Sequence, residues 1–95
     1  MDATLLLRER ITPSNDTFAE LVVWRVPRPV VASTHAFTYR LALVVEERCV
    51  PRYDDEAGKG DHRHVGAEEN SVVFTGIDEL IAAFWRDVEI WRRPE

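Results

Sequence analysis

The sequence predicts an α+β domain of two layers: an antiparallel sheet of four to five strands, running as a meander, packed by one C-terminal helix. Two periodicities and one length carry that expectation. Between residues 37 and 46 apolar side chains recur at every second position, the strand period. From residue 77 onward they recur every three or four, the helix period. The chain has 95 residues, room for one domain spanning 1–95 and no second core.

Residues 3–11 (ATLLLRERI) are apolar and then alternate with charge, which reads as the first strand. Thr12-Pro13-Ser14-Asn15-Asp16 is a cluster of turn formers that ends it. The second strand, residues 18–26, sets Phe18, Val22, Trp24 and Val26 on one face, with Glu20 interrupting. Ala19, Leu21, Val23 and Arg25 fall on the other. Trp24 reads as core, and Arg25 and Arg28 as surface. Pro27 and Pro29 then stop ladder pairing, because neither has an N–H to donate.

In the third strand, residues 37–46, Phe37, Tyr39, Leu41, Leu43 and Val45 share a face. Glu46-Glu47 reads as a tight turn into residues 48–53, although the Gly and Asn usual in such turns are missing. Residues 53–64 (YDDEAGKGDHRH) read as a polar loop, and Ser71-Val72-Val73-Phe74 as a short closing strand. The helix carries Ile77, Leu80, Ile81, Phe84, Val88 and Trp91 on one stripe, with Thr75 where an N-cap belongs. Asp78 and Glu79 suit the positive end of its dipole, Arg92 and Arg93 the negative end, and Pro94 stops it. Trp85 falls off the stripe and is a candidate contact surface.

Composition narrows the class. A 45% hydrophobic and 31% charged chain is ordinary for a globular protein and excludes disorder. A domain of this size buries only about 60–65% of its unfolded surface, so a partner chain, a homodimer included, can add a useful share of stability. The single cysteine, Cys49, cannot form an intramolecular disulfide or a multi-cysteine zinc site and reads as a semi-buried structural thiol. No apolar run approaches the ~20 residues of a membrane span, and no secretory leader opens the sequence. The expectation is a cytoplasmic protein with no membrane association. A net charge of −5 argues against a DNA-coating protein. Arg25, Arg28, Arg40, Arg48, Arg52, Lys59 and Arg63 nevertheless crowd the middle of the chain, which suits a discrete phosphate-containing substrate.

The chemistry concentrates in residues 53–64. Two of the three histidines, His62 and His64, lie there; the third, His35, reads as a hydrogen-bonded loop residue. If the run is extended, His62 and His64 project to one side and Asp61 and Arg63 to the other. Paired imidazoles can act as acid and base on an RNA phosphodiester, each proton transfer typically contributing roughly 10²–10⁴ in rate. Asp61 is the candidate to orient one of them. Lys59 and Arg63, with Arg25 and Tyr53 beside them, are candidates for binding phosphate or substrate. Gly58 and Gly60 give the backbone freedom to approach a ligand. Asp54, Asp55 and Glu56 read as structural or tuning acids, Asp54 being the exception. The same histidines could instead ligate a metal with Asp54 or Asp61, but His-x-His alone is weak evidence. Gly58-Lys59-Gly60 lacks the spacing and the Ser/Thr of a P-loop. Trp24-Arg25 at a proline-broken strand end could stack a base and hold a phosphate.

The chain resembles the TumE family, small toxin-like proteins encoded beside helix-turn-helix antitoxins. The resemblance rests on Trp24-Arg25-Val26-Pro27-Arg28-Pro29-Val30, His35, Tyr39-Arg40-Leu41, Arg52-Tyr53-Asp54, Glu56, Gly58-Lys59-Gly60-Asp61-His62-Arg63-His64 and the helix over residues 84–88. It covers most of the chain from about Leu21. Asp55 stands where the family more often has asparagine, and Glu46-Glu47 where it has a glycine. The resemblance implies the toxin of a type II toxin–antitoxin pair, with a helix-turn-helix antitoxin as partner.

The leading expectation is therefore a toxin acting on RNA: a metal-independent endoribonuclease with catalytic His62, His64 and Asp61, needing no cofactor. A non-catalytic module docking a protein or nucleic acid through residues 53–64 is the alternative. A metal-dependent nuclease is the third.

Overall fold

In the computed structural model, which describes residues 3–28, 35–56 and 60–92, six strands precede one helix. They are β1 (Thr4–Ser14), β2 (Thr17–Arg25), β3 (Phe37–Val45), β4 (Arg48–Glu56), β5 (Gly60–Val65), β6 (Glu68–Ser71) and α1 (Ile77–Arg92). The sheet order is β1-β2-β3-β4-β5-β6, every neighbouring pair antiparallel. The architecture is the expected α+β meander with a C-terminal helix, with six strands rather than four or five.

The added strand comes from the polar run. Residues 53–56 and 60–64 are strand rather than loop: β4 continues to Glu56 and β5 returns from Gly60, with Asp54 opposite His62 and Arg52 opposite His64. The closing strand also moves, to Glu68–Ser71. Residues 72–76 leave the sheet to reach the helix, although the Val72 N–H still donates to the Asp61 carbonyl at 3.0 Å. At the other edge, β1 runs through Thr12 and Pro13 to a turn at Asn15-Asp16, with an irregularity between Ile11 and Ser14. An edge strand tolerates the missing proline N–H there.

Turn chemistry fixes the register. Glu46 and Glu47 both take positive φ, 49° and 66°, as a type I′ hairpin turn requires. In β4, Ala42 pairs with Arg52 but Val44 with Cys49, so Val50 and Pro51 bulge opposite Leu43. The bulge is where a proline inside a central strand fits.

The core lies between the sheet and α1. Ala19, Leu21 and Val23 from β2, Tyr39, Leu41 and Leu43 from β3, and Val50 and Tyr53 from β4 meet Leu80, Phe84 and Val88. Burying each of the last three contributes about 1.5–3 kcal/mol. Phe84 is fully buried and meets Tyr53 edge-on at 6.5 Å. The helix packs on β3 and β4. Its N-cap is Gly76 rather than Thr75: the Leu80 N–H donates to the Gly76 carbonyl, and Gly76 has φ 154°, a conformation a Cβ disfavours. Trp85 is half-buried against the core, edge-on to Phe84 at 5.3 Å, and Trp91 is exposed. Trp24 is not core, because its parity places it on the sheet face opposite Leu21 and Val23. The Cys49 side chain, Arg93 and Pro94 lie outside what is described.

Candidate active site

The meander aligns side chains in rows across the whole sheet, because antiparallel partners share a face. On the face away from α1, one row reads Arg8, Val22, Arg40, Asp54, His62, Ser71. The next reads Arg10, Glu20, Ala42, Arg52, His64, Glu69. On the helix side the row between them is Glu9, Leu21, Leu41, Tyr53, Arg63, Asn70. One alternating sequence thus supplies a polar face and a packed one.

His62 and His64 stand side by side on the helix-free face, ring centroids 6.4 Å apart. Two carboxylates approach their ring nitrogens. Asp54 Oδ1 is 3.6 Å from His64 Nε2, and Glu69 reaches to 3.9 Å from His64 Nδ1 and 4.0 Å from His62 Nδ1. Arg52 Nε lies 3.1 Å from Asp54 Oδ2, at an angle that does not make a hydrogen bond. Four buried polar atoms here have no hydrogen-bond partner: His62 Nδ1, His64 Nε2, Asp54 Oδ1 and Arg52 Nε. Buried unsatisfied groups are costly and rare, and here all four sit in ion-pair contacts of 3.1–4.0 Å with one another or with Glu69.

The other sequence-predicted residues divide. Asp61 orients an imidazole, but that of His35, because strand alternation turns it to the helix side. His35 Nε2 is 2.8 Å from Asp61 Oδ1, and the Tyr39 hydroxyl donates to the same oxygen at 2.6 Å. The Phe37 N–H donates to His35 Nδ1, which sets the His35 proton on Nε2. The ring also stacks on Phe74 at 3.8 Å. His35 is thus the hydrogen-bonded loop residue expected. Burial, then the bond to Asp61, pushes the Tyr39 hydroxyl far above its ordinary pKa. Asp55, opposite Asp61, accepts from the Tyr39 N–H at 2.8 Å and the Thr38 hydroxyl at 3.2 Å, yet burial still raises its pKa.

Arg63 and Tyr53 also face the helix. Asp87 accepts from the Tyr53 hydroxyl at 2.8 Å and from Arg63 Nε and Nη2 at 2.9 and 3.0 Å. That forked bond raises the Arg63 pKa. Burial and the Asp87 bond raise that of Tyr53. Arg25 is exposed at the end of β2, opposite Phe37. Gly60 is buried and opens β5 with φ 79°. Lys59 and Gly58 lie outside the described residues, so their expected roles have no structural account. Among the described residues no three His, Cys, Asp or Glu side chains converge as a metal-binding set. A cleft of about 350 Å³ lined by Val72, Phe74, Leu80 and Arg86 opens on the helix side, away from His62 and His64.

Glu69 carries no sequence signal of its own, and Arg40 and Arg52 stand out only as members of the mid-chain basic group, because the place of all three depends on register. Gly66 held the one signal: its positive φ of 59° closes the β5–β6 hairpin, and a tight return there sets Glu69 opposite His64.

A profile of the family described as Toxin TumE matches residues 2–92, nearly the whole chain. The chain belongs to the TumE toxin family. Membership implies an antitoxin as partner. No curated protein and no solved structure matches the chain. No helix among the described residues is long and apolar enough to cross a membrane.

Proposed function

We propose that this TumE-family toxin cleaves RNA in the cytoplasm by acid–base chemistry at His62 and His64, as the toxin of a type II pair held in check by a helix-turn-helix antitoxin. The observation that carries the reading is the pair itself. Two imidazoles 6.4 Å apart share a sheet face that α1 leaves uncovered, with the Asp54 and Glu69 carboxylates within 4.0 Å of their ring nitrogens. A phosphodiester seated between them meets a base on one side and an acid on the other. One imidazole takes the 2′-hydroxyl proton as O2′ bonds to phosphorus; the other, protonated, gives its proton to the departing 5′-oxygen as that bond breaks. The products are a 2′,3′-cyclic phosphate and a free 5′-hydroxyl. Asp54 and Glu69, rather than Asp61, flank the rings, and the Arg52 guanidinium beside Asp54 supplies positive charge for the phosphoryl oxygens. Arg63 and Tyr53 serve the fold through Asp87.

The test compares wild type with His62→Ala and His64→Ala for growth arrest and for cleavage of RNA by purified protein. Each substitution lowers cleavage by roughly 10²–10⁴. Toxicity equal to wild type in both variants would falsify the assignment.

A further inference from the structure

We infer that β1, β2 and β3 of the helix-free face form a platform for single-stranded RNA, holding the nucleotides that flank the phosphate at His62 and His64. This rests on the ribonuclease reading and extends it to a substrate-binding surface. The two rows that contain the histidines run on without interruption to the far edge of the sheet. The His62 row has a basic side chain on every second strand: Arg8 on β1, Arg40 on β3, His62 on β5. With strands about 4.8 Å apart, those groups recur about every 10 Å along one line. In the His64 row, Arg10 and Arg52 add two more.

Over β1–β3 these two rows hold three arginines against Glu20 alone, on a chain whose net charge is −5. Such a local reversal of sign attracts a polyanion to these rows. Arg40 is half exposed, and its carboxylate neighbour Glu20 is 3.8 Å away, beyond hydrogen-bond range, so a phosphate can compete for it. Arg8 is exposed. Trp24, half-buried on the same face between Leu5 and Thr38, stands one pair beyond the His62 row. An indole beside a line of guanidinium groups is the pairing that holds unstacked bases and their backbone. Bases are available for such stacking in a single strand and not in a duplex.

The test measures anisotropy of an end-labelled, 2′-O-methyl single-stranded RNA oligomer, which cannot be cleaved, across a range of salt. Arg8→Gln and Arg40→Gln each weaken binding severalfold and reduce the slope of log K against log salt by about 0.7, and the double variant by about 1.4. Arg40→Lys keeps the slope. Trp24→Leu weakens binding about tenfold with the slope unchanged, as a lost stack does. Arg86→Gln, the same loss of charge on an exposed helix-side residue, changes neither. Unaltered slopes for Arg8→Gln and Arg40→Gln overturn the platform, as does an equal loss in Arg86→Gln. A wild type that binds with these slopes but leaves the unmodified oligomer intact upholds the platform and removes the ribonuclease reading.

Discussion

Asp87→Ala tests whether Arg63 belongs to the fold or to the substrate. The Asp87 side chain is 12% exposed, and its carboxylate accepts three hydrogen bonds, one from Tyr53 and two from Arg63. Its removal leaves a buried phenol without an acceptor. A hydrogen bond to a charged group contributes about 1.5–3 kcal/mol. The Arg63 side chain is 35% exposed, so water restores much of its share, and the ion pair adds only about 0–1 kcal/mol. The expected loss is therefore about 2–4 kcal/mol, a large part of the 5–15 kcal/mol typical of a domain. At about 4–8 °C per kcal/mol, the melting temperature drops by at least about 8 °C. Urea unfolding measures it. The double variant with Arg63→Ala loses less than the sum of the singles by more than about 0.5 kcal/mol, because both break one contact. A loss below about 1 kcal/mol, or strict additivity, refutes the account and returns Arg63 to the list of groups free for phosphate.

Two further substitutions follow from the backbone and from burial. Glu46→Asn with Glu47→Gly relieves positive φ at two non-glycine residues and stabilises by about 0.5–1 kcal/mol, read as a higher urea midpoint at constant slope; an unchanged midpoint counts against the type I′ assignment. Asp55→Asn keeps the acceptor for the Tyr39 N–H and removes a buried charge. Burial raises the Asp55 pKa above its unfolded value, so its contribution is fully present below the unfolded pKa and is lost as pH rises through the folded one. The variant is accordingly less sensitive to pH across that window, and a stability profile parallel to wild type defeats the reasoning.

The meander and the helix were legible because their apolar residues keep one period over nine residues of β3 and sixteen of α1. The β4–β5 hairpin was not, because neither of its faces carries the apolar alternation that marks a half-buried strand. One face is the histidine array; the other satisfies its charges against Asp87, His35 and Tyr39, partners 16 to 34 residues distant. β6, with all four residues exposed, gives no hydrophobic signal at all. The histidine pair was readable from its i, i+2 spacing alone. Which carboxylate serves it was not, since that depends on strand register. Asp87 did leave a trace: it stands seven residues after Leu80 and three after Phe84, an acid on the apolar stripe.

The row geometry also makes the site sensitive to whether a length change is odd or even. One residue inserted between Asp61 and His62 would turn both imidazoles into the layer beneath α1 and carry their neighbours the other way. Two inserted residues would restore their direction. Across related chains, length differences inside β4 and β5 should therefore come in pairs or be absorbed by a bulge such as that at Val50-Pro51, while the connections between strands vary freely.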